Sequence, residues 1–327
     1  MKQIVLEAPG KFVKRQAPVP EAGPGEALIR MERIGVCGSD FHAFAGRHPI
    51  YTYPRVLGHE LSGIVLEIAE NDKGIRAGDC CAIEPYMSCG TCRACVLGRK
   101  NCCEQIKVIG IHVDGGMQEV LAVPVALLHK SDVLSLDQLA LIETMGIGAH
   151  AVARSALQPG DEALVIGAGP IGIAVLQFAA ALGTLVHVVE RNEWRRRFVE
   201  RMGHTVSEKA DGRRADVVFD ATGNAEAMGA SLNHVATGGK LVFVGLTRDP
   251  IRIDDSLFHR REITLLASRN SQDLFPEIIR RIEEGEIDTS PWITERLTLS
   301  NVVSDFEPLS RKQTLIKAII DVQEDAG

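Results

Sequence analysis

The stretch ALVIGAGPIGIAVLQFAAALG, residues 163–183, indicates the fold class of one half of this chain. It begins as an apolar run, passes through Gly167-x-Gly169-x-x-Gly172, and continues with the apolar density of a helix packed on a sheet. A strand, a glycine turn and a helix in this order begin a dinucleotide-binding unit, because glycines let the backbone approach a pyrophosphate at the helix N-terminus. The pattern predicts a cofactor site at Gly167, Gly169, Pro170, Ile171 and Gly172.

The next strand, LVHVVE at residues 185–190, ends in Glu190. An acidic side chain there accepts hydrogen bonds from ribose hydroxyls and repels a 2′-phosphate, which predicts NAD as the cofactor. Arg191 and Arg195 follow and could instead bind that phosphate, so NADP is the alternative. The apolar runs ADVVFDATG, KLVFVGL and EITLLAS then indicate strands buried on both faces of a parallel sheet. Residues 144–268 are therefore predicted to form a doubly wound α/β domain.

Residues 1–143 show a different pattern. Short β-type runs such as EALIRMERIGV and GIVLEIA alternate with Gly and Pro, which predicts a compact all-β domain. Beyond residue 268, one amphipathic helix, FPEIIRRIEEGEI, precedes a tail that ends in TLIKAIIDV. The chain is thus predicted to contain two domains of different class.

The composition excludes several kinds of partner. The 327 residues carry a formal net charge of -7, whereas phosphate binding needs a net basic face, so no nucleic-acid partner is expected. The basic runs at 195–197 and 213–214 are interpreted as solvated surface. No signal peptide is recognised, and glycines interrupt the longest apolar stretch, so we expect a cytoplasmic protein without membrane contact. In a reducing compartment, clustered thiols indicate metal binding before disulfides.

The cysteine-rich segment CGTCRACVLGRKNCC, residues 89–103, is typical of a metal-binding loop. Its spacing is C-x2-C-x2-C-x7-C when the last cysteine is the fourth ligand. Thiolates at this spacing can approach one tetrahedral ion, and four of them leave no open coordination position. The prediction is a structural zinc in a lobe near residues 86–104, bound by Cys89, Cys92, Cys95 and Cys103. The alternatives are Cys102 in place of Cys103, a disulfide pair, or free buried thiols.

A second, open metal site is predicted from residues far apart in the sequence. CGSDFH supplies Cys37, YPRVLGHE supplies His59 and Glu60, and LIETMGIGAH supplies Glu143. One thiolate, one imidazole and carboxylates suit zinc, and three protein ligands with a water form a catalytic site. Beside Cys37, the hydroxyl of Ser39 and the imidazole of His42 could pass an alcohol proton to solvent. Glu60 is kept as both a catalytic and a metal-binding candidate.

Together these motifs resemble the zinc-dependent medium-chain dehydrogenase/reductase family, and in particular its polyol and sugar-acid branch. CGSDFH, YPRVLGHE, the four-cysteine lobe, VIGAGPIG and VVFDATG occur in that family's order and at its spacings. Within the branch, NCCEQIKVIGIHVDGG, DATGNAEAM and FHRREITLLASRN are most similar to 5-dehydrogenases of L-galactonate and L-gulonate. The resemblance implies NAD-dependent oxidation of a secondary alcohol in a sugar acid or polyol.

The resemblance also implies a domain plan. A GroES-like β-barrel catalytic domain over 1–143 is interrupted by the Rossmann domain over 144–268 and completed by residues 269–327. A homodimer or homotetramer is implied as well. Relatives usually carry a helix where this chain has only a short segment between strands near Thr205 and Ala215. Crossing two strands needs roughly 14 Å, which a short extended segment can span, so the sheet order is predicted to survive without that helix.

For the site, the resemblance assigns the catalytic zinc to Cys37 and His59, with Glu143 as the third ligand. Glu60 either binds the metal or stays behind it. Asp40 is implied as the partner that orients His59. Lys317 is implied as a basic residue near the cofactor pyrophosphate.

An aldonate substrate carries a carboxylate that needs cationic or amide partners. The candidates, chosen from their motif neighbourhoods, are Arg47, His48, His112, Arg269 and Asn270. Two other functions stay open: a zinc-free quinone or enone reductase that consumes NADPH, and a non-enzymatic cofactor-sensing protein on a dehydrogenase fold. The first is opposed by the presence of the cysteine lobe together with Cys37 and His59. The second is opposed by the presence of all the candidate active-site residues, namely Cys37, Ser39, His42, His59 and Glu143.

Overall fold

The computed structural model describes residues 1–48 and 50–323. The chain divides into two compact units, one formed by Met1–Glu143 with Phe275–Gly327, and one formed by Thr144–Leu274. The chain therefore returns to the first unit at Phe275, whereas the sequence prediction placed this return at residue 269. The last residues of the predicted segment, 324–327, lie outside the described part of the chain. None of the helices in the described ranges combines the length and apolar character that a membrane crossing requires.

The first stretch of the chain is built mainly from short strands. Its helices are α1 (Gly38–Phe44), α2 (Arg93–Val96) and α3 (Leu136–Ser155), with 3-10 turns at Lys100–Cys102 and Val125–Leu127. Its strands are β1 (Lys2–Ala8), β2 (Lys11–Gln16), β3 (Glu26–Val36), β4 (Glu60–Ile68), β5 (Cys80–Ile83), β6 (Tyr86–Met87), β7 (Lys107–Val108), β8 (Val120–Pro124) and β9 (Leu128–Lys130).

The second unit alternates strands and helices. Its strands are β10 (Glu162–Ile166), β11 (Leu185–Val189), β12 (Thr205–Ser207), β13 (Ala215–Asp220), β14 (Val235–Phe243) and β15 (Thr264–Ala267). Its helices are α4 (Pro170–Ala181), α5 (Glu193–Arg201), α6 (Ala225–Ser231) and α7 (Asp255–Arg260), with a 3-10 turn at Leu232–His234. All strand pairs are parallel, in the order β12-β11-β10-β13-β14-β15. The prediction of a doubly wound parallel sheet is confirmed.

The segment between β12 and β13 contains no helix in its fully described residues 208–214, yet β13 lies beyond both β11 and β10. The prediction that the short segment preserves the strand order is therefore confirmed. At the glycine turn, Gly167 has a φ of +96°, and a Cβ on Gly172 would lie 1.8 Å from the Gly167 carbonyl oxygen. Only glycine fits this close approach of α4 to the turn.

The chain then returns to the first unit through α8 (Phe275–Glu283), β16 (Ile293–Thr298), a 3-10 turn at Leu299–Asn301, α9 (Val302–Ser310) and β17 (Lys317–Asp321). The sheet of this unit runs β16-β17-β3-β4-β5-β9, and β8 also pairs with β3. β17 pairs antiparallel with the end of β3, so that Ala318 faces Val36. β4 pairs with the other edge of β3, so that Glu60 faces Gly35. These two pairings bring Lys317 and Glu60 beside the residue that precedes α1.

Candidate metal and cofactor sites

The four predicted lobe cysteines lie together around α2. The Sγ atoms of Cys89, Cys92, Cys95 and Cys103 all lie within 4.8 Å of one another, with Cys92 and Cys95 3.5 Å apart and Cys89 and Cys95 4.0 Å apart. A tetrahedral zinc with ~2.3 Å bonds to sulfur has S–S edges of about 3.8 Å, so this donor set fits the ion. Cys102 is exposed and outside the group, which favours Cys103 as the fourth ligand.

The backbone of the same loop prepares these thiols for metal binding. The Cys92 N–H donates to Cys89 Sγ at 3.3 Å, and the N–H groups of Cys89 and Gln105 donate to Cys103 Sγ at 3.3 and 3.4 Å. Backbone donors from Thr91 and Cys92 lower the pKa of Cys89 to about 6, which favours the thiolate that binds metals. All eight cysteines are free thiols, so the disulfide alternative is not supported.

The second group is assembled by strand pairing. Cys37 follows β3, His59 precedes β4, and Glu60 is the first residue of β4. The ligand atoms of these three residues lie within 4.8 Å of one another. Opposite Glu60, a Cβ on Gly35 would lie 2.0 Å from Glu60 Oε2, so the glycine leaves space for the carboxylate. The sequence analysis missed Gly35, because its role depends on a partner on another strand.

Asp40 lies next to both Cys37 and His59. Its Oδ2 accepts a hydrogen bond from the Cys37 N–H at 2.9 Å, and its Oδ1 lies 3.6 Å from His59 Nδ1. His59 Nδ1 is buried and has no hydrogen-bond partner among the described residues. A carboxylate on the Nδ1 side leaves Nε2 for a metal, as in metal-binding histidines generally. The thiolate, imidazole and carboxylate of this group therefore fit a zinc ion.

Lys317 requires a correction. We predicted it beside a cofactor pyrophosphate, but the residue is 1% exposed and its Nζ donates to Glu60 Oε1 and Oε2 at 2.6 and 2.7 Å. Burial alone would lower the pKa of Lys317, yet the Glu60 carboxylate offsets this and the net shift is upward. The amine therefore stays charged and neutralises Glu60, since an unpaired buried carboxylate is strongly unfavourable.

Glu143 lies on α3 and is buried near the same group, although it is outside the set of atoms within 4.8 Å. Its Oε1 accepts a short hydrogen bond from the Tyr86 hydroxyl. Burial raises the pKa of the Glu143 carboxyl, and the proximity of Glu60 raises it further, against the opposing effect of His59. Tyr86 is a second residue that the sequence analysis missed.

The predicted proton-relay residues lie on α1. Ser39 is half-buried, and its Oγ is 3.4 Å from His59 Nε2. His42 is exposed near the end of the helix, where its carbonyl accepts the Arg47 N–H at 2.9 Å. Ser39 thus lies beside the metal-binding candidates, whereas His42 lies on the surface of the unit.

The five predicted substrate contacts are divided between the units. In the first, Arg47 is exposed, and the ring of His48 packs edge-on against Tyr51 with centroids 4.7 Å apart. His112 Nδ1 accepts the Val108 N–H at 3.0 Å, which indicates a role in holding its turn. In the second unit, Arg269 is exposed and Asn270 has a φ of +53°.

A cavity of about 470 Å³ in the second unit includes most of the predicted cofactor residues in its wall, namely Gly167, Gly169, Glu190, Arg191 and Arg195. Pro170 and Ile171 form the first turn of α4, and Gly172 is buried beneath it. Glu208, Lys209 and Ala210, from the segment that lacks the helix, form another part of the wall. The sequence analysis did not name these residues.

Glu190 is fixed by the backbone at this cavity. Its Oε2 accepts the Ala168 N–H at 2.7 Å and its Oε1 accepts the Asn192 N–H at 2.8 Å. Each carboxylate oxygen can accept a second hydrogen bond, so both can still bind a hydroxyl group. A glycine turn, a twelve-residue helix and an anchored carboxylate around one cavity fit the adenosine half of a dinucleotide.

The comparisons with known proteins agree with this geometry. The family described as alcohol dehydrogenase GroES-like domain matches residues 23–133, and the family described as zinc-binding dehydrogenase matches residues 170–284. L-galactonate-5-dehydrogenase of Escherichia coli K12 is 37% identical, with 98% of each chain covered. The chain belongs to the zinc-type medium-chain alcohol dehydrogenases.

Two solved structures are similar to this chain over nearly its whole length. A protein described as a short chain alcohol dehydrogenase from Escherichia coli CFT073, complexed with NADH, has a TM-score of 0.93 at 26% identity, covering 98% of this chain and 99% of the other. A putative zinc-binding dehydrogenase from Sinorhizobium meliloti 1021, bound to NADP, has a TM-score of 0.90 at 27% identity, covering 98% and 99%. The predictions of family, fold class and oxidoreductase activity are confirmed, and the protein is an oxidoreductase of the alcohol dehydrogenase type.

Proposed function

We propose that the protein is a two-zinc dehydrogenase that uses NAD to oxidise a secondary hydroxyl group of a sugar acid or polyol. The observation that carries this proposal is the group of half-buried Cys37 and buried His59 and Glu60, whose ligand atoms lie within 4.8 Å of one another beside Ser39. The likeness of the chain to L-galactonate-5-dehydrogenase of Escherichia coli supports a six-carbon aldonate as the substrate class.

In this proposal, Cys37, His59 and Glu60 hold the catalytic zinc, which supplies the Lewis acidity that makes an alcohol proton easier to remove. Lys317 occupies one side of the Glu60 carboxylate, and the lone pairs on its other side stay available. Glu143 stays with Tyr86 next to the site. Asp40 would orient His59, and the Ser39 hydroxyl would accept the hydrogen bond of the alcohol.

The cofactor preference rests on Glu190. Its anchored carboxylate would repel the 2′-phosphate of NADP and accept hydrogen bonds from the ribose hydroxyls of NAD. Arg191, Arg195 and Lys209 share the same cavity and oppose this preference. We propose NAD because Glu190 is held in place by two backbone donors. The closed lobe of Cys89, Cys92, Cys95 and Cys103 binds the second, structural zinc.

The test combines metal analysis with a substrate panel. The purified protein is expected to contain two zinc ions per chain and to form NADH, followed by its absorbance, with at least one aldonate or polyol. The kcat/KM for NAD should exceed that for NADP by about tenfold or more, the effect of one misplaced charge in the cofactor site. A metal-free protein that oxidises NADPH with quinones or enones would overturn the proposal, and so would zinc-loaded protein without turnover on the whole panel.

A further inference from the structure

The parallel sheet of the second unit carries another cavity, at the opposite end of its strands from the cofactor residues. This cavity has a volume of about 600 Å³. Its wall includes the first residues of three strands, Glu162 of β10, Leu185 of β11 and Ala215 of β13. The cofactor cavity is lined instead by Ile166 and Val189, the last residues of β10 and β11. The two cavities are therefore separate, and the function proposed above gives this one no role.

The helix-free connection between β12 and β13 leaves this end of the sheet partly open. Ala210 of that connection is buried in the same cluster as Leu164, so the connection covers part of the sheet face. At the amino end of β11, Leu185 is 67% exposed, although β11 lies between β10 and β12. Inner strands of a parallel sheet are normally covered on both faces. The exposed leucine therefore gives the cavity an apolar floor.

Two arginines line the same cavity. Arg213 and Arg214 end the connection directly before β13, and both are exposed. Neither guanidinium has an ion-pair partner among the described residues, and Glu162 supplies the single carboxylate in the described part of the wall. The wall thus keeps a net positive charge. Arginine binds carboxylates and phosphates well, because its planar fork can donate two parallel hydrogen bonds.

His187 also lines the cavity and is held between two hydroxyl groups. Its Nδ1 lies 3.1 Å from Thr205 Oγ1, and its Nε2 lies 2.8 Å from Ser207 Oγ. Thr205 donates its own proton to the Val186 carbonyl at 3.1 Å, and Ser207 donates its proton to the Lys209 carbonyl at 2.6 Å. Both hydroxyls therefore have only lone pairs left for the imidazole. Two such acceptors are satisfied together by an imidazolium, which carries a proton on each nitrogen.

The surroundings of His187 oppose this charged form. Burial lowers the pKa of His187 and the charge of Arg213 lowers it further, against the opposing effect of Asp211. An anion bound beside Arg213 would offset the effect of the arginine and favour the imidazolium. The hydrogen bonds of His187 thus fit a cavity that contains a negative charge.

We propose that this cavity binds a small organic anion, a carboxylate or phosphate ester whose apolar body lies on Leu185 and whose charged group is bound by Arg213 and Arg214. The volume is in the range of small-molecule sites, roughly 300–1,000 Å³. An inorganic ion would leave Leu185 uncovered, and a neutral ligand would leave the guanidinium groups without an anionic acceptor. The proposal is independent of the zinc and cofactor sites.

The test uses benzoate and benzamide, which have nearly the same shape and differ in charge, and phenyl phosphate as the phosphate ester. Binding to the full chain is followed by the methyl signals of carbon-13-labelled leucine in nuclear magnetic resonance spectra. The signal of Leu185 is identified by its loss in Leu185→Ile. Because the dissociation constant is measured at Leu185 itself, binding of a probe at the metal groups or the cofactor cavity does not contribute to it.

Both anions should shift the Leu185 signal to saturation, and benzamide should bind at least about tenfold more weakly, the effect of one lost charge-assisted hydrogen bond. Arg213→Gln should weaken benzoate binding by about tenfold, and Arg213→Lys should retain part of the affinity. The matched control is Arg248→Gln, which removes the same charge at an exposed arginine outside the cavity wall and should change nothing. The tighter of the two anions identifies the charged group that the site prefers.

The ring signals of His187 give a second measurement. Saturating benzoate should raise the pKa of His187, because the bound charge opposes that of Arg213. By linkage, the affinity for benzoate should then increase from about pH 8 to about pH 6, a range in which benzoate stays ionised. Arg213→Gln should raise the pKa of His187 without any ligand.

A Leu185 signal that does not move with either anion overturns the proposal, and so does equal binding of benzoate and benzamide. Sedimentation velocity of Leu185→Asp tests whether a second copy of the chain covers the cavity. If this variant has a smaller assembly than the unaltered protein, the cavity is a protein interface and the proposal is wrong. None of these measurements depends on metal content or NADH formation, so the failure of one proposal leaves the other untouched.

Discussion

The two candidate metal sites of this protein differ in their donor atoms, four thiolates against one thiolate, one imidazole and one carboxylate, and also in their surroundings. The four lobe cysteines lie within one short segment, and backbone N–H groups of that segment support their sulfur atoms. The group of Cys37, His59 and Glu60 draws its support from distant residues, including Lys317 and Asp40. The comparison teaches that a closed site can be built locally, whereas an open site with buried charges needs the whole unit around it.

The largest expected effect is a loss of catalytic activity when a ligand of the Cys37 group is replaced. Replacing Cys37 with Ser should lower kcat/KM by roughly a thousandfold, because Lewis-acid assistance contributes several kcal/mol. The zinc content should fall from two to one, and the midpoint of thermal unfolding should change little. Steady-state kinetics with metal analysis gives the result, and Cys102→Ser, at an exposed thiol outside both groups, is the control. Full activity in Cys37→Ser would show that this group is not the reaction centre.

The second prediction addresses the long-range support of the open site. Lys317→Met leaves the Glu60 carboxylate without its buried partner and should lower the free energy of unfolding by about 3–5 kcal/mol. The double variant Lys317→Met with Glu60→Gln should recover part of this loss, since no unpaired charge remains. Denaturant unfolding of both variants measures the difference. Equal stability of the single and double variants would argue against the ion pair as the source.

The third prediction concerns the lobe. Cys103→Ser should remove the structural zinc and lower stability by on the order of 1–3 kcal/mol, because binding of the metal contributes to the folding free energy of the loop. Limited proteolysis should then cut near α2, and the catalytic zinc should stay bound. The adjacent Cys102→Ser should retain both ions. If Cys102→Ser loses zinc and Cys103→Ser does not, the ligand assignment is wrong.

The smallest effect is expected at Tyr86. The substitution Tyr86→Phe removes the hydroxyl that donates to Glu143 and should cost about 1 kcal/mol of stability. Zinc should remain at the Cys37 group, because Glu60 and not Glu143 is its proposed carboxylate ligand. Zinc titration of Glu60→Gln and Glu143→Gln provides the comparison. A weaker zinc affinity in Glu143→Gln than in Glu60→Gln would reverse the assignment of the two carboxylates.

Much of the fold could be predicted from local patterns. The glycine turn at Gly167 and the apolar runs after it indicated a parallel sheet, and the short segment before Ala215 was correctly expected to preserve the strand order. Such features depend on residues close in sequence, so the chain itself carries the signal. The lobe belongs to the same class, since the spacing of its cysteines contains most of its geometry.

The partners of the open site could not be predicted in this way. Lys317 was assigned to a pyrophosphate, yet the pairing of β17 with β3 directs it to Glu60. The need for glycine at position 35 appears only in the folded structure, where β4 pairs with β3 and places Glu60 opposite Gly35.

The sequence by itself therefore determined the family and the doubly wound sheet, and it indicated the candidate ligand residues of both proposed metal sites. The tertiary structure decided which charges meet, so that Glu60 lies with Lys317 and Glu143 with Tyr86. The physical reason is the range of the interactions. Glycine turns and closely spaced thiolates act over a few residues, while a buried charge must find a partner wherever strand pairing brings one.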